Sequence, residues 1–440
     1  MQVNRSPMMT YPPGPERLRR WQVLQMAKVY GALFKDPIAF IGGRFAAHGD
    51  LYHLHETGGG HLYATQHPDH LHELLVTRHK DMQKRGGAND RLVPILGDGL
   101  LTADGETWKK ARKLMNPRFH RKAIAGYAQT MVDHAERVSW QDGAQVDVSA
   151  IMMGLTLNIV VRSLFDHEVN DETDVIARTM GNLRRAGRGT IMPSWVPTPQ
   201  RSAARRALSD LHRIIDDLVQ TRRTEGLRED LLSMLIDVGM DGAQIRDQLV
   251  TLFLAGHDTT SHALSWTWWL LATHPEVEAR LHAELDEVLG HGLPDGDTEL
   301  PYTDAVIAET LRRYPPAFAV PRVARVDTEL GGFPIAAGSQ VIGWVWHAHH
   351  DPRWWDEPMA FRPERFLSPL KKREAYLPFG GGPRMCIGAG FAKMELRLLL
   401  ATIARNVRFE ASPGQVVNTD AGVTLAPKGG LPLTVRRRGK

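Results

Sequence analysis

The segment Leu249–Leu271 constrains this chain more than any other. It is the longest apolar stretch, yet its middle carries His257, Asp258, Thr259, Thr260, Ser261 and His262 in succession. A bilayer-spanning helix would leave those groups in hydrocarbon with no water to satisfy them. The segment therefore reads as a helix buried inside protein. A buried helix of this length must be covered on every side, and a chain of 440 residues with 42% hydrophobic side chains has the material to do so.

The apolar spacing elsewhere predicts a mainly α (α+β) fold. Helices are expected over Arg17–Phe34, Pro37–His48 and Pro68–Thr77, with a β-hairpin between the last two from Leu51–Glu56 and His61–Thr65, joined by Gly58, Gly59 and Gly60. Lys84–Leu101 reads as a loop. From Gly105 to about Val288 the spacing is helical, with breaks at Asn116–Pro117, Gly187–Pro199 and Gly239–Gly242. A second hairpin is expected from Gly332–Ile335 with Gln340–Trp344. A Pro- and aromatic-rich coil from His350 to Phe379 follows, then a last helix over Gly388–Ala404. No internal repeat or low-complexity linker divides the chain, so residues 1–440 are expected to form a single domain behind a flexible leader at 1–16.

A single Cys among 440 residues excludes an internal disulfide and fits a reducing, cytoplasmic setting. The formal charge of +4 is spread along the chain and does not imply nucleic acid binding, and the run Arg436, Arg437, Arg438, Lys440 reads as a solvated end. Met1–Arg20 lacks the apolar core of a signal peptide or membrane anchor. Two histidine groups, His53 with His55 and His347 with His349 and His350, invite a metal reading. The first pair lacks a third ligand nearby, and the second lies in a turn-forming run ending Asp351, Pro352.

The lone thiol lies in the run Phe379, Gly380, Gly381, Gly382, Pro383, Arg384, Met385, Cys386, Ile387, Gly388, directly before the last helix. Glycines let a backbone turn approach a flat cofactor, and the start of a helix favours a thiolate. A lone Cys is by itself compatible with an inert buried residue. The run as a whole resembles the cysteine loop of the cytochrome P-450 family: Phe, two residues, Gly, one residue, Arg, one residue, Cys, one residue, Gly.

Other segments carry the same resemblance. Ala255, Gly256, His257, Asp258, Thr259, Thr260 is similar to the family's oxygen-binding groove, although the residues alone also describe a kinked helix with satisfied hydroxyls. Glu309, Thr310, Leu311, Arg312, followed by Pro363, Glu364, Arg365, Phe366, is similar to its Glu-x-x-Arg helix and Arg-bearing coil. Without that context Glu309 and Arg312 would read as a solvated pair worth about 0.2–0.5 kcal/mol. Trp108 with Arg112 matches a Trp-x-x-x-Arg clamp, and Arg322 stands where many relatives present another cation. The turn His349, His350, Asp351, Pro352 departs from many relatives in having His350 where they have Arg. The resemblance runs from about Leu51 to the C-terminus.

It implies a haem-thiolate monooxygenase using haem b and O2, with Cys386 as axial ligand to the haem iron. Trp108, Arg112, Arg322 and Arg384 would bind the propionates, and Ala255, Gly256, Phe379 and Gly388 would border the haem between the central helix and the cysteine-loop helix. Asp258 and Thr259 would relay protons, while Glu309, Arg312 and Arg365 would form a structural ion network. The chain contains no fused flavin or iron–sulfur region, so electrons from NAD(P)H would arrive through a separate ferredoxin or flavodoxin with its reductase. The cations Lys109, Lys110, Lys113 and Lys371, Lys372, Arg373 offer a docking face.

The segments that line the pocket in relatives are apolar here, which favours a lipophilic substrate such as a terpenoid, fatty acid or steroid-like molecule. Leu92, Val93 and Leu96 come from the loop Arg85–Leu101, and Phe253 from the long helix. Ala317, Phe318 and Val320 precede the second hairpin, and Val423 with Leu425 lie near the C-terminus. Ile191, Met192, Trp195 and Val196 are read as a lid or a membrane-grazing segment. A monomer with no transmembrane segment is expected. A haem-based lipid carrier or sensor, or a peroxide-driven hydroxylase or isomerase, would share these features, although the last two have less need of the acid–alcohol pair.

Overall fold

A computed structural model of the chain describes residues 11–15, 28, 29, 31–33, 35–57, 60–167 and 199–439. Most of the helix expected over Arg17–Phe34, the start of the leader, and Ile191, Met192, Trp195 and Val196 lie outside the described residues. Strands run in the order β1 Leu51–Thr57, β2 Gly60–Thr65, β3 Met82–Gln83, β4 Gln145–Asp147, β5 Val320–Ala324 and β6 Thr328–Leu330. They continue with β7 Phe333–Ile335, β8 Gln340–Gly343, β9 Val407–Glu410, β10 Thr419–Ala421, β11 Leu425–Pro427 and β12 Pro432–Arg437. The chain packs as two compact units, described in turn.

The smaller unit comprises residues up to Arg91 with Phe318–Pro358 and Lys372–Cys386. The helix Pro37–His48 starts at Asp36, whose carboxylate accepts from the Ala39 amide at 3.0 Å. The first hairpin forms as its alternation predicts, β1 pairing antiparallel with β2. A five-stranded sheet in the order β1-β2-β8-β5-β3 grows from it, with β2 and β8 parallel. Leu51, Tyr63, Leu74, Leu75, Val341 and neighbouring residues close its core. The helix expected over Pro68–Thr77 is α-helical only to His72 and continues with π spacing through Glu73–Thr77.

The second hairpin differs from its expectation. Phe333–Ile335 pairs with Thr328–Leu330, not with Gln340–Gly343. Gly331 and Gly332 both hold positive φ, 56° and 81°, which suits a tight two-residue hairpin turn and folds the chain back before residue 340 is reached. The strand Gln340–Gly343 alternates half-buried and buried positions, and it is taken into the sheet between β2 and β5.

The larger unit comprises Leu92–Ala317, Met359–Lys371 and Ile387–Lys440. Its axis is the helix Gly242–Thr273, which contains the whole of Leu249–Leu271. Asp241 caps it reciprocally: the Gln244 amide donates to the Asp241 carboxylate at 2.8 Å and the Asp241 amide donates to Gln244 Oε1 at 3.2 Å. Helices Gly105–Met115, Ala128–Glu136, Val148–Phe165, Pro199–Glu225, Leu231–Asp237, Pro275–Leu289, Pro301–Arg313 and Ala389–Ala404 complete this unit together with shorter turns.

Two stretches expected as loop or helix have other local structure. Val93–Leu96, within the expected loop, forms a single helical turn. Gln145–Asp147, within the expected helical run, is a strand that pairs with β12 in a sheet of order β4-β12-β9. Long-range pairing, invisible to local periodicity, decides the second case. Among the described residues one helix, Val148–Phe165, is long and apolar enough to cross a membrane, and 61% of it is buried inside the structure.

Candidate active site

In the smaller unit the cysteine loop is a chain of backbone turns. The Gly380 amide donates to Leu377 O at 3.0 Å, Met385 to Gly382 O at 3.0 Å, and Cys386 to Phe379 O at 3.0 Å. Gly382 has φ 66°, and a Cβ there would lie 2.0 Å from the Leu75 carbonyl oxygen, so the loop rests directly on the π-spaced turn. The thiol of Cys386 is exposed, and Phe379 and Arg384 are half-buried. The coil leading into the loop is fixed by a residue that the sequence suggested only as part of a turn: His349 Nε2 accepts from the Leu377 amide at 2.8 Å, and its ring stacks on Tyr376. Arg322, on β5, is buried and donates from Nη1 to Pro321 O at 2.8 Å.

Three other histidines of these groups also have structural partners, while the His55 side chain lies outside the described residues. His53 bonds the carbonyls of Pro12 and Pro15, His347 Nε2 that of Ile38, and His350 Nδ1 that of Trp346. Among the described residues no group of three or more His, Cys, Asp or Glu is placed to hold a metal ion.

In the larger unit the central helix is buried along most of its length, but Ala255 is exposed and Gly256 and Thr259 are half-exposed. These positions, at i, i+1 and i+4, form one notch of small or polar side chains on an otherwise covered helix. A Cβ at Gly256 would meet Val160 Cγ2 at 3.0 Å, so this glycine also permits close packing of the helix Val148–Phe165. Asp258 and Thr259 take different partners. The Thr259 hydroxyl donates to Ala255 O at 2.8 Å, whereas the buried Asp258 carboxylate accepts from Thr424 Oγ1 at 2.6 Å. His262, one turn on, is 3.1 Å from the same Thr424 oxygen through Nδ1. Sequence reasoning passed over Thr424, although it lies between Val423 and Leu425.

Glu309, Arg312 and Arg365 are brought together. Arg312 clamps the carboxylate through Nε and Nη2, at 2.7 and 2.8 Å, while the Arg362 amide and Arg365 Nε approach one oxygen at 3.0 and 3.3 Å. Trp108 and Arg112 lie one turn apart on Gly105–Met115, each half-buried. Of the cations considered for docking, Lys109 pairs with Glu106 at 2.6 Å and Lys372 with Asp69, while Lys110 and Lys113 are exposed. Gly388 caps the last helix, accepting from the Ala392 amide at 2.8 Å. Within that helix Glu395 is fully buried, and burial pushes its carboxyl well above the carboxylate range, against a smaller opposing effect of the Thr260 hydroxyl.

The expected pocket residues fall on both units. Leu92, Val93 and Val423 are half-exposed and Ala317 is exposed, while Leu96 and Leu425 are buried. The loop after Leu96 is seated on the central helix through its backbone, with the Asp98 amide donating to Asp247 Oδ2 at 2.8 Å and the Leu100 amide to Gln248 Oε1 at 2.9 Å. Phe253 is fully buried, its ring 5.0 Å from that of Phe165, which places it in the contact between two helices. Val320 packs on the core of the five-stranded sheet, and Phe318 approaches Trp344.

These residues suit a haem in chemical kind. An exposed thiol at the end of a rigid, glycine-closed loop is a soft metal ligand in position to coordinate. The notch at Ala255, Gly256 and Thr259 provides an uncovered face without large side chains. Arg112, Arg322 and Arg384 are guanidinium donors of the kind that carboxylates recruit.

The family profile of cytochrome P-450 matches residues 12–433. Cyclooctat-9-en-7-ol 5-monooxygenase of Streptomyces melanosporofaciens is 34% identical over 87% of this chain and 87% of its own length. Pentalenene oxygenase of Streptomyces avermitilis is 32% identical over 89% of this chain and 91% of its own. The crystal structure of the cytochrome P-450DA heme domain superimposes with a TM-score of 0.82 at 27% identity, covering 98% of both chains. A fold shared from end to end, together with the family's match across nearly all of the sequence, makes this chain a member of the cytochrome P-450 family and a monooxygenase that works with haem and O2.

Proposed function

We propose that this monooxygenase hydroxylates or epoxidises a cyclic terpenoid. The observation that carries the reading is the uncovered notch at Ala255, Gly256 and Thr259 in a helix otherwise buried in protein. The names of relatives that act on cyclooctat-9-en-7-ol and pentalenene support the substrate class. The half-exposed apolar side chains of Leu92, Val93 and Val423 favour a ligand held by area and not by charge.

In this reading residues 1–440 act as one domain. Cys386 would ligate the haem iron, Arg112, Arg322 and Arg384 would hold its propionates with Trp108 beside Arg112, and Phe379, Gly388, Ala255 and Gly256 would border the ring. Bound through a thiolate, the haem supplies activation of O2. The protein supplies the surroundings. Apolar walls exclude water from the substrate, the Thr259 hydroxyl offers a hydrogen bond at the notch, and the Asp258 carboxylate one residue away relays protons to it. Electrons come from NAD(P)H through a separate acidic ferredoxin or flavodoxin. The exposed Lys110 and Lys113 support an acidic partner. A cytoplasmic monomer fits a chain whose single thiol must stay reduced.

The test is spectroscopic and catalytic. Ferrous protein under carbon monoxide should give the red-shifted band of thiolate ligation, and Cys386→Ser should abolish it. Cyclic terpenes should shift the haem spin state and give oxygenated product that depends on O2 and an electron donor. An unshifted carbonyl band in the wild type, or tight terpene binding without product under any donor, would sink the proposal.

A further inference from the structure

The buried acid next to Thr259 has a set of partners of its own. Asp258, His262 and Thr424 are 4%, 2% and 8% exposed, so their mutual bonds form away from solvent. Thr424 has one hydroxyl hydrogen, and at 2.6 Å from Asp258 Oδ2 that hydrogen is committed to the carboxylate. The Thr424 oxygen can then only accept from His262, 3.1 Å away, so His262 Nδ1 must carry a hydrogen. The chain of bonds therefore has one direction, from imidazole to hydroxyl to carboxylate. A hydrogen bond formed away from water is stronger than the same bond in solvent.

The turn that carries Thr424 is itself fixed. Trp266 Nε1 donates to Leu425 O at 3.0 Å, and the Leu425 amide donates to Pro316 O at 3.0 Å. Trp266 in turn stacks on Tyr314, with ring centroids 3.9 Å apart and planes 4° from parallel. The half-exposed Val423 and the buried acid are thus joined by a single rigid turn.

We propose that Thr424 and His262 are positioning residues for Asp258, and that they tie its orientation to the turn that presents Val423 to substrate. The proposal rests on the monooxygenase reading. Thr424 holds the carboxylate turned toward β11, and His262 fixes the sense of that bond. Without the hydroxyl, Asp258 loses its fixed orientation and delivers protons out of step with substrate.

The test uses haem-loaded full-length protein with three variants: Thr424→Val, which keeps the shape and removes the hydroxyl, Thr424→Ser, which keeps the hydroxyl, and His262→Gln. In ferrous carbonyl protein labelled with 15N-histidine, the signal lost in His262→Gln identifies His262. In wild type its Nδ1 should read as protonated, and this state should change in Thr424→Val but not in Thr424→Ser. With a turned-over cyclic terpene and a surrogate ferredoxin system, Thr424→Val should lower product formed per NADPH by about fivefold to tenfold, while KM stays within about twofold and Thr424→Ser recovers most of the coupling. An unprotonated Nδ1 in wild type, or Thr424→Val coupling like wild type, overturns the inference. Failure of the monooxygenase reading looks different, for it appears in wild type as an unshifted carbonyl band or absence of product. The His262 tautomer still decides the present question in that case.

Discussion

The guanidinium of Arg312 lies against the carboxylate of Glu309, with Nε 2.7 Å from one oxygen and Nη2 2.8 Å from the other, and neither side chain is exposed. Arg312 also donates to Ala360 O at 3.1 Å, so the pair ties the helix Pro301–Arg313 to the coil beyond Met359. Removing the acid would leave Arg312 buried without its counter-charge. Glu309→Ala is expected to destabilise the fold by about 3–5 kcal/mol. Urea unfolding and haem content measured together should both fall, whereas normal stability with full haem loading would remove Glu309 from this role.

Two glycines of the cysteine loop should differ in tolerance. Gly380 and Gly382 hold φ of 70° and 66°, but no atom lies within 4 Å of a Cβ at Gly380, whereas one at Gly382 meets the Leu75 carbonyl oxygen at 2.0 Å. Gly380→Ala should cost about 1–2 kcal/mol from backbone strain alone. Gly382→Ala cannot be accommodated without moving the Leu75 backbone. It should lose the red-shifted carbonyl band even where the protein remains folded by circular dichroism.

Stability should depend on pH through Glu278. Burial pushes its carboxyl up to about 7, against the opposing charges of Arg408 and Arg438. A raised folded value means the native state binds the proton more tightly than the unfolded chain. That contribution is complete below about 4.5 and is lost as pH rises through about 7. His282, on the same helix, is lowered to about 4 by burial and has the opposite slope between about 4 and 6.5. Glu278→Gln should therefore leave stability near pH 4.5 almost unchanged relative to wild type and gain roughly 1–3 kcal/mol at pH 8. Chemical denaturation at the two pH values measures the difference.

Close approach of two helices at Gly256 predicts a coupled pair. A methyl at Gly256 gains helix propensity of about 1 kcal/mol but meets Val160. Gly256→Ala should be more favourable in a Val160→Ala background than in wild type, by about 1 kcal/mol. A double-mutant cycle in urea reads this term directly, and strict additivity would show that Val160 moves aside without cost.

What the sequence disclosed and what it hid follow from the range of the interactions. Periodicity located the helices Pro37–His48 and Ala389–Ala404 within a residue or so and identified the central helix, because each is patterned locally and capped by its own neighbours. The pairing of Glu309 with Arg312 was legible from their spacing on one helix face, whereas its burial and the link to Arg365 were legible only through the resemblance to a known family. The partner of β8 was misread because hairpin logic favours the nearest strand, while Gln340–Gly343 joins β2 across the sequence. Thr424 was missed for the same reason: its bond to Asp258 spans 166 positions and leaves no periodic trace.

The seating of the loop after Leu96 has an evolutionary consequence. Asp247 and Gln248 hold it through the backbone of Asp98 and Leu100, and the seat needs glycine at 97 and 99, where a Cβ would lie 2.1 Å from Asp247 Oδ1 and 1.9 Å from Thr251 Oγ1. Leu92, Val93 and Leu96 can then be exchanged for other apolar residues while the segment beyond them keeps its seat. Such a boundary is a natural crossover point, where recombination or directed evolution can swap the apolar segment before it and leave the scaffold intact.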